Sequence, residues 1–210
     1  MKKIIFIFII LLITISDSHS QLIKKLGFKT GPVMFWQYGD NSHDRNGFGY
    51  GFDFGMFTVI KGYKKLSFVI ELDYADKGTA KGEPGNTGVR PFGYPDSYTD
   101  FNNRYQYITL GGFIKFNSTK KDYGFYTIAG FRLDMMVNNY YTGYANTVFK
   151  PAANHFEFGG TIGIGLATTF GLLFEIQYNP NFTPIFKYNL YNNDVKFYNA
   201  SVNLLTGYQF

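Results

Sequence analysis

The sequence predicts an all-β fold: an eight-stranded antiparallel up-and-down transmembrane barrel. Three observations predict it. The first is Gly47–Ile60, GFGYGFDFGMFTVI, which alternates without a break. Phe48, Tyr50, Phe52, Phe54, Met56, Thr58 and Ile60 share one side, and Gly47, Gly49, Gly51, Asp53, Gly55, Phe57 and Val59 share the other. A period of two is the signature of a strand, because successive side chains point to opposite faces. A soluble sandwich rarely gives four glycines to its exposed face, since glycine weakens strands. A bulky face in lipid and a small face in a crowded lumen account for both halves of the pattern. The second observation is composition. Aromatic residues make up 20% of the chain and glycine numbers 24, yet mean hydropathy is −0.13, as expected when only alternate residues meet lipid. The third is the regular alternation of short and long connections described below.

The 210 residues suffice for one domain behind a leader. Met1-Lys2-Lys3 precedes an apolar run from Ile4 to Ile15, too short to span a bilayer as a helix. Ser18-His19-Ser20 then puts small residues at the −3 and −1 positions before Gln21. Residues 1–20 are therefore expected to be a secretory signal peptide, with the barrel domain over 21–210. Losing Lys2, Lys3 and Asp17 moves the formal charge from +5 to +4, with scattered basic residues that form no nucleic-acid surface. Cysteine is absent, which excludes disulfides, thiolate chemistry and a lipid anchor on cysteine.

The strands are expected in the following order. Strand one, Lys25–Tyr38, sets Leu26, Phe28, Met34 and Trp36 against Gly27, Lys29 and Gly31, with a bulge or bend expected at Pro32. Strand two is Gly47–Ile60. Strand three, Leu66–Ala75, points Leu66, Phe68, Ile70, Leu72 and Tyr74 outward and Ser67, Val69, Glu71 and Asp73 inward. Strand four, Arg104–Phe116, is bulky on both faces: Ile108, Leu110, Ile114 and Phe116 against Tyr105, Tyr107, Thr109 and Phe113, so its orientation stays open. Strand five, Gly124–Val137, turns Phe125, Ala129, Phe131, Leu133, Met135 and Val137 outward and Gly130, Arg132 and Asp134 inward. In strand six, His155–Ala167, Phe156, Phe158, Ile162, Ile164 and Leu166 alternate with Glu157, Gly159, Thr161, Gly163 and Gly165. Strand seven, Leu172–Tyr178, has Glu175 and Gln177 inward. Strand eight, Phe197–Phe210, has Tyr198, Ala200, Val202, Leu204, Tyr208 and Phe210 outward and Asn199, Ser201 and Asn203 inward.

Short turns follow strands two, four and six, at Lys61–Lys65, Asn117–Tyr123 and Thr168–Gly171. Longer polar segments follow strands one, three, five and seven, at Gly39–Asn46, Asp76–Asn103, Asn138–Asn154 and Asn179–Lys196. Outer-membrane barrels have short periplasmic turns and long extracellular loops, and an even strand count puts both termini on the periplasmic side.

With these strands in place the sequence resembles the small eight-stranded outer-membrane barrels of the OmpA/OmpX type. More narrowly, it is similar to the PorT-like outer-membrane beta-barrel proteins of Bacteroidetes. The resemblance rests on RYQYITLGGFIKF at 104–116, HFEFGGTIGIGLA at 155–167 and the terminal SVNLLTGYQF ending on Phe210. It implies a place in the cell outer membrane, contact with outer-membrane lipid, and Phe210 as an assembly signal read by the barrel-assembly machinery. One namesake of the family belongs to a protein-secretion apparatus, which leaves an extracellular or secretion-apparatus protein open as a partner, although no motif here matches that role. A monomer without nucleic acid or cofactor is expected.

Eight strands enclose a lumen that side chains fill. The charges expected inside are Lys29 and Arg132 with Asp53, Glu71, Asp73, Asp134, Glu157 and Glu175. Unpaired charges there would be costly, so the set is expected to pair into a structural network, with Arg132 facing one or more of Glu71, Glu157 and Glu175. The alternative is an ion path or gate. Of the histidines, His19 is in the leader, while His43 and His155 adjoin loops. His155 is the candidate for a rim-site enzyme acting on lipid or peptide, but no nucleophile–base–orienter set accompanies it, so no enzyme is expected. No cluster has metal-ligand spacing. A soluble lipocalin-like barrel would need the large residues inside. Loop aromatics Tyr140, Tyr141, Tyr144 and Phe149, and Phe92, Tyr94, Tyr98 and Phe101, suit an adaptable recognition surface or an extension of the interface girdle.

Overall fold

A computed structural model of the chain describes residues 23–39, 48–60, 62–79, 102–119, 123–142, 154–190 and 193–210. The expected signal peptide, His43 and most of the loop aromatics lie outside the described residues. The strands are β1 (Ile23–Gly39), β2 (Gly49–Ile60), β3 (Leu66–Thr79), β4 (Asn102–Asn117), β5 (Gly124–Thr142), β6 (Phe156–Ala167), β7 (Leu172–Pro180), β8 (Phe186–Leu190) and β9 (Asn193–Gln209). Each pairs antiparallel with its neighbour in the order β1 to β7, then β9, and β9 pairs back to β1. The closed barrel therefore has eight strands, and β8 is a short extra strand that pairs with the loop-side end of β9. Closure leaves no edge in the hydrocarbon, where unpaired backbone groups cannot be hydrated. At the seam, the backbone N–H of Phe210 donates to Leu26 O at 2.9 Å and that of Leu26 donates to Phe210 O at 3.2 Å.

The alternation holds in the structure. Phe52, Phe54 and Met56 are exposed on the outer face of β2, while Asp53 and Phe57 are buried in the lumen. The open question of β4 is settled: Tyr105, Tyr107, Thr109 and Phe113 are inside, and Ile108, Leu110, Ile114 and Phe116 are outside. Lumen glycines make room for these rings and charges. A Cβ on Gly165 would come within 2.3 Å of the Tyr126 ring, and one on Gly55 within 1.6 Å of Asp73 Oδ1.

Several expectations need correction. β1 keeps one register with β2 through Pro32, so no bulge forms on that side, while on the β9 side the ladder is interrupted at Gly31 and Pro32 as expected. Proline lacks an N–H, but the ladder resumes in phase beyond it, from Thr30↔Thr206 to Val33↔Asn203 on β9. β3 runs past Ala75 to Thr79 and brings Lys77 into the lumen. There the Asp76 carboxylate accepts from the backbone N–H of Phe52 at 3.2 Å, beyond the last β2–β3 pair. Ala200 keeps its outward phase but is fully buried, because Trp36 and Tyr178, on the strands flanking β9, stack 6.1 Å apart. The segment expected to be a loop, Asn179–Lys196, holds the end of β7, all of β8 and the start of β9.

Phe54 is half exposed on the outer face, between Thr30 of β1 and Tyr74 of β3. A basic residue at the midplane of a barrel's lipid face costs about 2–4 kcal/mol and falls to about 0–1 near the interfaces. Phe54→Arg is expected to lower stability by that larger amount in phosphatidylcholine vesicles. Phe48→Arg, one residue before β2, is expected to change it little. Equal losses at the two positions would refute the depth assigned to Phe54.

Candidate functional site

Inside the barrel, an apolar cluster of Phe57, Val59, Val69, Phe113, Tyr126, Ile128, Ala167 and Leu173 fills the end next to the short turns. A second one, Tyr105, Tyr107, Met136 and Ile185, fills the loop end. Between them sit the charges. All eight side chains expected there, Lys29, Asp53, Glu71, Asp73, Arg132, Asp134, Glu157 and Glu175, are buried.

Lys29 is the hub of the lower group. Its ammonium lies 2.6 Å from Glu71 and 2.7 Å from Glu175, on opposite sides of the lumen. The Tyr126 hydroxyl and Gln177 Nε2 each donate to Glu175 at 2.7 Å. Asp53 accepts from Asn203 Nδ2 at 2.5 Å. Asp73 is held next to Gly55, the one residue type that leaves space for it.

Arg132 organises the upper group, with partners other than those expected. It does not pair with Glu71, Glu157 or Glu175. Its Nη1 meets Asp134, two residues along the same strand, at 3.0 Å. Its Nε donates to Gly160 O at 3.3 Å, and its Nη2 to Asn179 O at 3.0 Å and to Asn181 Oδ1. The expected partners are engaged elsewhere: Glu71 and Glu175 by Lys29, and Glu157 by Tyr107, Asn181 and Asn199. Asp134 is held from three sides, since Lys77 reaches it at 2.5 Å and the Thr109 hydroxyl at 2.7 Å.

Two interior cations escaped the sequence. Lys77 was hidden by the early end assigned to strand three. Lys115, whose ammonium sits 3.8 Å above the Tyr126 ring, shares the phase of Tyr105, Tyr107 and Phe113, and that phase was the signal available. Asn181 and Ile185 escaped too. Both are fully buried in a stretch with two prolines that alternation cannot place.

The two groups join. Gln177 Oε1 accepts from Asn179 Nδ2 at 3.4 Å, and the Asn179 carbonyl accepts from Arg132. The chain of contacts thus runs from Glu71 through Lys29, Glu175, Gln177, Asn179, Arg132, Asn181, Glu157 and Asn199 to Gln37. Each buried carboxylate of Glu71, Asp134, Glu157 and Glu175 meets a cation or several donors, which is what burial of a charge requires. A lumen cavity lined by Lys29, Glu71, Lys115, Tyr126 and Glu175 has a volume of about 10 Å³, room for a single water at most. His155 is exposed before β6, its carbonyl accepting from Met136 N at 2.8 Å. Among the described residues, no group of His, Asp and Glu could hold a metal ion.

Solved structures of other proteins are similar to this one in fold. Neisserial surface protein A (NspA) is 14% identical with a TM-score of 0.46, over 88% of this chain and 95% of that one. OprG from Pseudomonas aeruginosa is 9% identical with a TM-score of 0.49, over 90% and 97%. Ail, the attachment invasion locus protein of Yersinia pestis, is 10% identical with a TM-score of 0.41, over 89% and 98%. Among curated proteins, none matches in sequence. Residues 19–187 match the family described as outer membrane protein beta-barrel domain, a stretch holding seven of the eight barrel strands, and β9 supplies the eighth. The chain belongs to that outer-membrane beta-barrel family, and its place is the outer membrane.

Proposed function

We propose that this barrel is non-enzymatic and acts at its surface instead of through its lumen, presenting its long extracellular connections for interaction or supporting envelope integrity. The observation that carries this reading is the filled interior: apolar clusters at both ends, a paired charge network between them, and a cavity of about 10 Å³. A lumen in that state offers solutes no path. Glu71, Glu175 and Asp134 are committed to Lys29, Arg132 and Lys77, and Glu157 to Tyr107, Asn181 and Asn199, which leaves these four poorly placed for acid–base chemistry on a substrate. Asp53 and Asp73 pair with neither Lys29 nor Arg132.

The terminal strand fits recognition by the barrel-assembly machinery. Phe210 is bonded to β1 through its backbone, while its ring is exposed beside Tyr208. The partners of the surface are expected to be outer-membrane lipid and an extracellular or secretion-apparatus protein, with the barrel itself monomeric.

The test is conductance. Purified full-length protein inserted in planar bilayers is expected to give no single-channel steps, and vesicles containing it are expected to exclude small sugars as protein-free vesicles do. Regular steps or sugar influx from protein with a normal heat-dependent gel shift would overturn the sealed-lumen reading and restore the ion-path alternative.

A further inference from the structure

The outward faces of β3, β4 and β5 change character at one height. Above the short turns they are apolar, up to Leu72 and Tyr74 on β3, Leu110 and Ile108 on β4, and Met135 and Val137 on β5. The next outward residues are polar and stand in one row, Asp76↔Gln106↔Asn138. Arg104↔Tyr140 is the outward pair beyond that row. Gln106 lies ten residues above Phe116, at the short-turn end of β4. With about 3.4 Å per residue and a strand tilt of about 40°, that climb is about 25 Å, the height of a barrel's apolar band. Arg104 therefore stands at the headgroup level of the outer leaflet.

Local structure aims these side chains. Tyr107 pairs with Met136 and Gln106 with Asn138, so Val137 is an extra residue. A bulge of this kind re-aims the side chains beside it. Asn138 Oδ1 accepts from the backbone N–H of Asn139 at 2.9 Å, and its Nδ2 donates to the Tyr140 hydroxyl at 2.7 Å. A hydroxyl that accepts one bond keeps its own proton for another acceptor. Asp76 has the outward phase but is buried, because β2 and β3 part beyond Asp53↔Ala75 and its side chain drops into the gap beside Gly51. There it accepts from Phe52 N at 3.2 Å and from Arg104 Nη2 at 2.5 Å. The pair is lopsided: the Asp76 side chain is 4% exposed and that of Arg104 45%. The carboxylate is spent within the sheet, and it holds in place a guanidinium whose planar fork carries five N–H donors.

We propose that Arg104, Gln106 and Tyr140 bind the phosphate of a phosphorylated glycolipid, lipid A, in the outer leaflet. Arg104 supplies the charge-assisted contact, for which a phosphate offers oxygens that match the guanidinium fork. Tyr140 adds a hydroxyl donor and Gln106 an amide donor. Asp76 and Asn138 are positioning residues: they fix Arg104 and Tyr140 before any ligand arrives, so little side-chain freedom is lost on binding. The inference rests on the surface reading above, whose expected lipid contact it narrows to one headgroup, and it does not depend on the sealed lumen.

The test offers full-length protein, refolded in detergent, equal amounts of lipid A and of the same lipid A stripped of phosphate, and reads bound lipid by native mass spectrometry. The phosphorylated form is expected to be enriched about tenfold, the scale of one charge-assisted hydrogen-bonded contact. Arg104→Gln is expected to bring the two forms within about twofold of each other. Tyr140→Phe leaves the Arg104–Asp76 pair in place and is expected to lower the preference about threefold, as loss of one neutral hydrogen bond does. Lys64→Gln, at the short-turn end, is expected to keep it. No preference in the native protein, or a preference that survives Arg104→Gln, overturns the inference. So does a preference that Lys64→Gln removes equally, or one that a large excess of inorganic phosphate abolishes, which would mark a site for free phosphate instead of lipid. If Arg104→Gln does not refold, Tyr140→Phe decides: an unchanged preference there overturns the inference. A native protein without lipid preference that also passes no sugar in the vesicle assay would remove this site and leave the sealed-lumen reading standing.

Discussion

Replacing Lys29 by methionine is expected to cost about 5 kcal/mol, the upper end for breaking a buried ion pair. The reason is the geometry of one ammonium between two carboxylates, Glu71 at 2.6 Å and Glu175 at 2.7 Å. Both lose their cation together. Glu175 keeps the Tyr126 hydroxyl and Gln177 as donors, so Glu71 is the more exposed to the loss. Methionine fills a similar volume, which separates the charge effect from a cavity. Urea unfolding in lipid vesicles, followed through the fluorescence of the single tryptophan, Trp36, measures it. Adding Glu71→Gln and Glu175→Gln to the variant is expected to recover most of the loss, because buried ionic groups replaced as a set are often neutral or stabilising. An unchanged midpoint in the single variant would mean that Lys29 is hydrated and the pairs do not form.

Arg132→Met is expected to cost about 3 kcal/mol, the lower end of the same range. Here one carboxylate is involved instead of two, and Lys77 still holds Asp134 at 2.5 Å. What is lost besides charge is the set of donors to Gly160 O, Asn179 O and Asn181, which tie the end of β7 into the lumen. The two variants should therefore differ in kind. Loss of Lys29 acts on the lower group, while loss of Arg132 loosens Asn181 and the chain after it. Limited proteolysis of the folded barrels is expected to cut Arg132→Met, and not Lys29→Met, between β7 and β8. Equal cutting of both, or of neither, would separate Arg132 from the anchoring of that segment. In a double variant with Lys77→Met, Asp134 would have no cation left, and the combined loss should exceed the sum of the two.

The strand architecture and the inward set were legible in the sequence because barrel strands obey a local rule. In Gly47–Ile60 each residue's neighbour in sequence points the other way, so a periodicity of two assigns Asp53 to the lumen and Phe54 to lipid with no knowledge of the rest of the chain. The same rule placed Lys29, Glu71, Arg132, Asp134, Glu157 and Glu175 inside. It also marked where strands two, four and six end, and so the short turns that follow them.

What only the tertiary structure decided is which inward residues meet. Partners in a barrel are chosen by strand tilt and stagger across the lumen, and neither is written into the alternation of any one strand. So the phase of Arg132 was right while its partner, Asp134, came from its own strand, and the glutamates expected for it went to Lys29 and to Tyr107, Asn181 and Asn199. Alternation also fails where the chain leaves the sheet. Asn181 and Ile185 enter the lumen from a proline-containing segment with no period, held there by Arg132, Glu157 and the Phe197 carbonyl. The outward Ala200 is covered by aromatic rings from two strands that only barrel closure brings to either side of it. A periodic pattern reports the direction a side chain takes from its own backbone, and the identity of what it meets depends on the closure of all eight strands.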